Sequence, residues 1–366
     1  MERSLLKLVN ETNMMARLNT KFVRPLYFPN FFGLKKVSVL EWSTLVGEQG
    51  APVMADVISF DATAPQKSRE VVRKLSGDIP KIAIQRAMNE KDYNEYKRLQ
   101  FECNGDADKL AVLNLAFKDQ DFVYNGVRSR MEWMALQLLS RGGFALNASN
   151  NAGIVTVEFV GCGMPKENKR VSTADWSNST SANGLQDIAD TLEEASQRGR
   201  MIKYIVMHTS DLILLCKQKS TAETLKGWIN QTGRLTVTKD SINAYLATLP
   251  VPAQIVTINS AVRYEDRAHV RKTISPWERK RIALIEDLRV GDIRYRPIDK
   301  AKDPSVLEVK KDFITVSKWS ELFMEWTKAE GHAMPVINDP EGLFILRADN
   351  NPWPLYEDTE GWEVFL

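Results

Sequence analysis

The hydrophobic positions between Asp106 and Arg141 form the clearest pattern in the chain. No proline interrupts this stretch, and its large apolar residues recur at spacings of three, four or seven, the period of a helix with one apolar face. They are Leu113, Phe117, Tyr124, Val127, Met131, Met134 and Leu138. Asp106 is the predicted N-cap and Gly142 the predicted left-handed C-cap. The expected helix is about 50 Å long, and Gly126 is where a bend is expected first.

Two interpretations of this helix are open. Spacing alone favours a core helix of a large domain. The alternative is a spine that crosses an elongated, flat subunit, because a length of about 50 Å exceeds the diameter of an ordinary domain. The segments that precede the helix favour the spine, since they are too aromatic and too basic for an isolated globule.

The first ninety residues are predicted to form an arm and a hairpin. Residues 1–20 have a polar, helix-like pattern, and residues 21–32 carry a run of aromatic side chains with two prolines that forbid a continuous helix. These rings must be buried against the core of their own subunit or against a neighbour, and the sequence leaves both open. Residues 36–86 alternate in short runs between glycines and prolines, which predicts short strands and a long hairpin. The second half of this hairpin is basic and is either a solvated edge or an arm on an acidic partner surface.

The remaining chain is predicted to alternate between short helices and strands. Helices are expected at 90–101, 184–198, 212–215, around Leu225 and Trp228, and at 241–249. Strands are expected at 153–160, 204–207, 254–258, 334–337 and 343–346. Residues 263–281 are expected to form a charged loop. Residues 306–313 and 315–326 are expected to be irregular or sheet-like.

Composition is that of an ordinary folded protein. The chain has 366 residues, with 43% hydrophobic residues, 26% charged residues and a net charge of +2, which is no overall signature of nucleic-acid or membrane binding. Three distant cysteines (Cys103, Cys162 and Cys216) form neither a disulfide framework nor a zinc motif and indicate a reducing compartment. With no signal peptide and no apolar stretch long enough to cross a bilayer, a cytoplasmic product without a membrane anchor is expected.

Motifs for chemistry are weak, so no catalytic, cofactor-binding or metal-ligating residue is predicted. Gly161-Cys162-Gly163 follows a strand, but Lys166 stands where a dinucleotide-binding motif has its third glycine. None of the three histidines has a second ligand at zinc spacing. Scattered carboxylates leave a glycosidase-like pair open. The cations between Arg263 and Arg281 are interrupted by acids, so a mixed-charge surface is the first interpretation and a patch facing a polyanion the second.

The order of these segments resembles a known family. The segments that carry the likeness are the arm from Lys21-Phe22 to Phe31-Phe32, the hairpin rise at 51–60, Asp175-Trp176-Ser177 with the helix at 187–195, Tyr204-Ile205-Val206-Met207 followed by Leu212, and Ala333-Met334-Pro335-Val336 with Asn338-Asp339-Pro340. In this order, over residues 20 to 350, the chain resembles the major capsid proteins of tailed bacteriophages, which have the Hong Kong 97-type fold. The lambda-type major capsid protein E family is the most similar.

The resemblance implies an α+β fold and a structural, non-enzymatic role. It implies an N-terminal arm at 1–35, an extended hairpin (E-loop) at 36–90, a peripheral domain at 91–199 with the spine helix 106–141, an α/β axial domain at 200–345 and a C-terminal tail at 346–366. The hairpin is expected to lie across a neighbouring subunit and the arm beneath another. Deleting residues 1–32 is then expected to spare the fold and to block assembly.

The resemblance also implies partners and a location. The implied partners are further copies of the chain, which form an icosahedral shell of pentamers and hexamers, and double-stranded phage DNA, which is contacted non-specifically. Portal, scaffold or decoration proteins are further partners, and no membrane is involved. The protein is expected in the virion after assembly in the host cytoplasm. Some shells of this fold join hairpin lysines to asparagines. Lys67, Lys74 and Lys81 are the candidates by position, but a lambda-type shell that relies on a decorating protein is not expected to cross-link.

Three alternatives stay open from the sequence. The first is an encapsulin-like nanocompartment shell of the same fold. The second is a soluble α/β hydrolase-type enzyme whose site uses the scattered carboxylates. The third is a nucleic-acid-binding module that uses residues 263–281.

Overall fold

The computed structural model describes residues 9–20, 25–46, 73–102, 105–146, 150–151, 158–233, 235–265, 270–298, 303–321 and 324–354. Within these residues the helices are α1 (Glu11–Thr20), α2 (Phe28–Phe31), α3 (Glu90–Glu102), α4 (Asp106–Arg141), α5 (Gly184–Gln197), α6 (Thr209–Lys217), α7 (Lys219–Ile229) and α8 (Lys239–Leu246). Short 3-10 turns lie at Lys166–Asn168 and Pro340–Gly342.

The strands fall into two large sheets and three two-stranded ones. They are β1 (Phe32–Lys36), β2 (Glu41–Val46), β3 (Arg73–Asp78), β4 (Lys81–Met88), β5 (Gly143–Leu146), β6 (Glu158–Gly161), β7 (Lys169–Val171), β8 (Tyr204–His208), β9 (Gln254–Ile258), β10 (Val262–Glu265), β11 (Arg271–Ile274), β12 (Arg281–Ile285), β13 (Gly291–Arg296), β14 (Leu307–Lys311), β15 (Ile314–Glu321), β16 (Met324–Ile337) and β17 (Leu343–Arg347). The expected strand at 153–160 is described only from residue 158 onward.

The predicted long helix is confirmed as α4, which runs for 36 residues, or about 54 Å at 1.5 Å per residue. Its N-cap is Gly105 and not the expected Asp106, because the Asp108 carboxylate reaches back and accepts the Gly105 N–H at 3.2 Å. Gly142 ends the helix in the left-handed conformation with φ 77°. The sequence therefore predicted the C-cap correctly and placed the N-cap one residue too late.

The helix continues through Gly126 without a break. A Cβ at this position would lie 2.9 Å from Ile84 Cδ1 on β4. Gly126 is therefore the place where α4 comes closest to the sheet below it, and the absence of a side chain permits that contact.

Both interpretations of α4 apply, each to one half of the helix. Residues 131–140 are all buried, because the C-terminal half packs between α2, β5 and β12. The N-terminal half packs against β4 and β16. It also carries two partly exposed apolar side chains, Leu113 and Phe122, and the Arg86 guanidinium of β4 lies 4.9 Å from the centre of the Phe122 ring. One helix is thus a core element at one end and a surface spine at the other.

The first sheet has the order β1-β13-β16-β15-β14, and β4 also pairs with β16. β1 is parallel to β13, with Phe32 opposite Gly291, and the other pairs are antiparallel. The late strand expected at 334–337 is the end of β16, which has 14 residues. Residues 306–313 and 315–326 were expected to be irregular or sheet-like, and the described residues among them form β14, β15 and the start of β16. In β16 the inward-facing Glu325 is fully buried in an ion pair with Lys318 at 2.5 Å.

The second sheet has the order β7-β17-β12-β8-β9. Helices α5 to α8 cover one face, where Ile205, Leu284 and Phe344 point. The opposite face, which includes Val206 and Ala283, belongs to the core that contains α4. The predicted strands at 204–207 and 254–258 and the predicted helices between them are confirmed in this layer.

The packing divides the chain differently from the expected boundary near residue 200. Helix α5 (184–197) shares its core with α6 to α8 and the second sheet. Strands β13 to β16 (291–337) join β4 and α4 in the first sheet. Two links, 286–290 and 338–342, connect the sheets. The reason is that antiparallel partners of β4 come from late in the sequence, where no local signal ties them to the early strands.

The charged loop expected at 263–281 is partly wrong. β10 and β11 form an antiparallel hairpin in which Val262 is opposite Ile274 and Glu265 opposite Arg271, and Arg281 begins β12. Their polar side chains hide the alternation because most of both strands is exposed. The hairpin tip, 266–269, lies outside the described residues.

Candidate assembly surface

The aromatic arm packs into its own subunit at residues 25–36. Phe28, Phe31 and Phe32 are buried, and β1 pairs with β13 over its full length. The structure contradicts, for these residues, the expectation that the arm lies beneath a neighbour, because its rings fill the core beside α4. Residues 1–8 and 21–24 of the expected arm lie outside the described residues.

A buried carboxylate on α4 fixes the start of α2. Glu132 is fully buried and accepts the backbone N–H groups of Tyr27 at 3.0 Å and Phe28 at 2.8 Å. Burial raises the pKa of Glu132, while these hydrogen bonds and one from the Ser260 side chain oppose that rise. The Tyr27 hydroxyl in turn accepts the N–H of Asn259 at 3.2 Å. Three segments that are distant in sequence therefore meet at one carboxylate.

The stem of the expected hairpin is formed by two antiparallel strands. β2 pairs with β3 from Glu41 opposite Asp78 to Val46 opposite Arg73. Trp42 is buried over Gly77, where a Cβ would lie 2.8 Å from Trp42 Nε1. Two apolar side chains precede the stem in exposed positions, Val39 and Leu40. Residues 47–72, which include Lys67, lie outside the described residues.

The lysines considered for cross-linking differ in position. Lys81 lies on β4 in the first sheet, where its Nζ is 2.8 Å from the Glu330 carboxylate. Lys74 lies in the stem, on β3. Lys81 therefore belongs to the body of the subunit and not to the projecting part of the hairpin.

The basic stretch 263–281 separates into two groups in space. Arg263, Arg271 and Lys272 are exposed on the β10–β11 hairpin, and Arg271 pairs with Glu265 at 3.1 Å. The cations that follow the hairpin, Arg279, Lys280 and Arg281, face the second sheet. The chain turns at Lys280, which has a positive φ of 56°. The described cations of this stretch therefore do not form a single basic patch.

Each cation of the second group has a partner within the subunit. Lys280 Nζ lies 2.9 Å from the Asp175 carboxylate. The Arg281 guanidinium lies 4.3 Å from the centre of the Trp353 ring, as in a cation–π contact. The Arg279 guanidinium contacts the Ser210 hydroxyl and lies 2.6 Å from His208 Nδ1.

The most perturbed titratable groups lie at the start of α6. His208 Nδ1 accepts the N–H of Ser210 at 3.0 Å; burial, and then the nearby Arg279 cation, lower the pKa of His208 to about 4. Burial raises the pKa of Asp211 to about 6, although the Lys280 N–H donates to its carboxylate at 3.2 Å. His208 thus acts as a helix cap, and both side chains are buried, where a substrate has no access.

The described residues offer little for cofactor or redox chemistry. Burial raises the pKa of the Cys162 thiol to about 11 and also raises the pKa of Cys216, which disfavours the reactive thiolate. Among the residues described, no group of three or more histidine, cysteine or acidic side chains could hold a metal ion. A small cavity beside Trp42, Leu138 and Cys162 is lined mainly by apolar groups and has about 10 Å³ of free space, room for about one water molecule. No helix in the described ranges is both long and apolar enough to cross a membrane.

Comparisons with known proteins agree with this assignment of features. The sequence model of the family described as phage major capsid protein E matches residues 10–348. The structure is similar to a protein assigned as the capsid protein of an E. coli CFT073 prophage, with a TM-score of 0.56, 13% identity, and coverage of 93% of this chain and 99% of that chain. It is also similar to a phage-related protein from Bordetella bronchiseptica RB50, with a TM-score of 0.51, 10% identity, and coverage of 94% and 99%. A search of curated proteins gives no significant match.

Proposed function

Because the chain belongs to the phage major capsid protein E family, we propose that it assembles as pentamers and hexamers into an icosahedral shell around double-stranded phage DNA. Its fold is the Hong Kong 97-type fold of phage capsid proteins. The protein is a structural, shell-forming component of the virion. The family match over residues 10–348 is the observation that carries the proposal.

The ordered hairpin stem supports a specific mode of assembly. The two strands of the stem are joined by 26 residues, 47–72. Exposed Val39 and Leu40 lie at its base, where a docked neighbour would remove them from water. In this proposal the hairpin lies across a neighbouring subunit, and such contacts are heterologous because hairpin and acceptor are different surfaces.

The proposed domains follow the expected order with two changes. Residues 36–90 form the extended hairpin and its return strand, and the spine helix 106–141 with the first sheet forms the peripheral domain. The axial domain takes the second sheet and α5 to α8, so that it begins before residue 200. The shared core of α5 with α6 to α8 supports the first change, and the pairing of β16 with β4 supports assigning β13 to β16 to the peripheral domain.

The proposal extends to partners and activity. Packaged DNA is contacted non-specifically, with portal, scaffold or decoration proteins as further partners and assembly in the host cytoplasm. The chain has no enzymatic role in this proposal. The buried positions of His208 and Asp211 and the raised thiol pKa values support that choice over a hydrolase-type enzyme.

The test replaces residues 47–72 with a two-residue Asn-Gly turn. Since Val46 is opposite Arg73, such a turn can close the stem without changing its register. We expect electron microscopy to show shells for the unmodified chain and none for this variant, while its thermal unfolding is unchanged. Normal shells from the shortened variant would exclude the proposed hairpin contact, and an unmodified chain that remains monomeric with DNA and scaffold present would refute the shell itself.

A length-matched control separates reach from recognition. In this control a glycine-serine segment of the same 26 residues replaces 47–72 and keeps the span but not the side chains. We expect it also to fail in assembly, because the apolar side chains of the hairpin provide the contact. If the glycine-serine control assembled while the shortened variant did not, the segment would act only as a tether.

A further inference from the structure

Two buried hydroxyl groups lie between α3 and the first sheet. Tyr96 is the only buried residue of α3, and Thr327 lies on β16; the two residues are 1% and 0% exposed. Within the residues that the structure describes, neither Tyr96 Oη nor Thr327 Oγ1 has a hydrogen-bond partner. Buried hydroxyls in folded proteins are almost always hydrogen-bonded, so this pair points to a ligand.

The register of the first sheet places Thr327 beside a buried ion pair. Thr327 is directly opposite Lys318 on β15, and Lys318 Nζ lies 2.5 Å from Glu325 Oε1. Glu325 is two residues before Thr327 on β16, so both side chains point to the same face of the sheet. One hydroxyl and both charges of the ion pair therefore meet on that face.

Helix α3 brings Tyr96 to the same ion pair. β4 ends at Met88, directly opposite Glu325, and α3 begins two residues later at Glu90. Burial is the main cause that raises the pKa of Tyr96, and the Glu325 carboxylate adds to the rise, which agrees with a position near that carboxylate. The polar space between α3 and the strand pair β15–β16, which we call the α3 seam, is therefore bounded by Tyr96, Lys318, Glu325 and Thr327.

The charges at the α3 seam are balanced, which indicates the kind of ligand. Lys318 has its counterion in Glu325. Asp119 on α4, where burial raises the pKa and the Lys318 cation opposes the rise, has Arg86 as its partner at 3.2 Å. A site without excess charge attracts an ion only weakly. An ammonium group has three N–H donors, and each hydroxyl can donate and accept, so the ligand that fits is one that also does both.

We propose that the α3 seam binds ordered water, with at least one molecule hydrogen-bonded to Tyr96 Oη, Thr327 Oγ1 and Lys318 Nζ. Buried waters in folded proteins typically make about three hydrogen bonds to groups that have no other partner. The bridge holds α3 on β15 and β16, although only one residue of this 13-residue helix is buried. The site does not depend on the proposed shell, because every group that forms it belongs to one subunit.

A crystal structure of the full chain, at a resolution that shows ordered solvent, gives the first test. We expect a solvent peak at hydrogen-bonding distance from both Tyr96 Oη and Thr327 Oγ1. A direct hydrogen bond between the two side chains, with no solvent peak, would overturn the proposal. A peak with the short contacts or the anomalous signal of a metal ion would also overturn it, because the seam would then be a cation site.

Removal of single hydroxyl groups gives a second test in solution. Tyr96→Phe and Thr327→Val each remove one hydroxyl and keep nearly the same side-chain shape. If water satisfies these hydroxyls, each change breaks one hydrogen bond, and we expect the unfolding equilibrium constant in urea to rise about two- to tenfold. Tyr93→Phe on the same helix is the matched control, because Tyr93 is only partly buried, and it is expected to change this constant about twofold or less.

The direction of the change in stability decides between bound water and an unsatisfied pair. A buried hydroxyl without a partner destabilises the folded state, so its removal would lower the unfolding equilibrium constant. A Tyr96→Phe or Thr327→Val variant that is no less stable than the unmodified chain would therefore refute the water site. The variant with both changes is expected to lose less stability than the two single losses together, because one water serves both hydroxyls. Fully additive losses would contradict a shared water.

Discussion

The burial of Phe31 allows a direct test of which subunit holds the aromatic arm. The side chain is 1% exposed. Phe31 is the last residue of α2, directly before Phe32, where β1 begins to pair with β13. Its backbone oxygen accepts the Val290 N–H at 2.9 Å, so the arm is also tied to the chain just before β13. Phe31→Ala removes the ring from this core and leaves a cavity that close-packed neighbours refill only in part.

The expected loss of unfolding free energy for Phe31→Ala is about 3–5 kcal/mol, the range for a fully buried phenylalanine. A loss of this size is a large part of the 5–15 kcal/mol that is typical of a domain. The measurement is urea unfolding of the free subunit, kept unassembled by dilution and followed by tryptophan fluorescence. Leu34→Ala on the neighbouring strand is the matched control, because Leu34 is 46% exposed and its removal is expected to cost less than about 0.5 kcal/mol.

The result that would refute this reasoning is specific. If Phe31→Ala left the free subunit as stable as Leu34→Ala and blocked assembly, the ring would belong to a neighbour's core. Deletion of residues 1–32 would also remove buried rings, because Phe28, Phe31 and Phe32 all lie in the core. That deletion should now impair folding and not assembly alone, which reverses the expectation from the sequence.

Three further predictions concern charged groups. Arg200 lies between the links that join the sheets, 2.7 Å from Asp339, 3.2 Å from Glu341 and 3.7 Å from Glu286; Arg200→Met should cost about 2–3 kcal/mol in urea unfolding, and Arg200→Lys less. Lys318→Met or Glu325→Met alone should lower the free energy of unfolding by about 3–5 kcal/mol, because each leaves a buried group without its partner, and the variant with both changes should recover most of this loss in a double-mutant cycle. The raised pKa of Asp211 (about 6) makes stability fall as pH rises from about 4 to 6, since the folded state holds the proton longer. The lowered pKa of His208 (about 4) makes stability rise between about pH 4 and 6.5, since there the unfolded state binds more protons. The two effects on stability oppose each other. In the Asp211→Asn variant the free energy of unfolding should therefore rise more steeply with pH than in the unmodified chain, by at most about 1.4 kcal/mol per pH unit. The same urea unfolding for both proteins at pH 4.5, 5.5 and 6.5 would contradict this.

Local signals explain why α4 could be predicted from the sequence. Its apolar period, the lack of proline and the glycine that ends it all act within a few residues of the helix. The strands at 204–208 and 254–258 were predictable for the same reason, because runs of buried aliphatic residues form them. The shift of the N-cap from Asp106 to Gly105 is within the usual uncertainty of a helix end.

Features that depend on distant partners could not be predicted in the same way. β16 carries an inward-facing glutamate, Glu325, which the sequence suggests is a surface residue. Its partner Lys318 lies diagonally across on β15, two residues from the directly opposite Ser320. The cations at 263–281 are close in sequence, but a left-handed residue at Lys280 turns the chain between Arg279 and Arg281. Whether the aromatic arm packs into its own subunit depends on Glu132, about a hundred residues later, which accepts the N–H groups that start α2.

The position of α4 limits how the subunit can adapt to the shell. Its buried half, 131–140, contacts the arm on one side and β12 of the second sheet on the other, while its other half lies on the first sheet. A rotation of one sheet against the other would shear this close-packed core, and protein cores resist such continuous deformation. The links on either side of Arg200 oppose the same rotation through three ion pairs. We therefore expect differences between the proposed pentamers and hexamers to be taken up outside this core, and less by a hinge between the sheets.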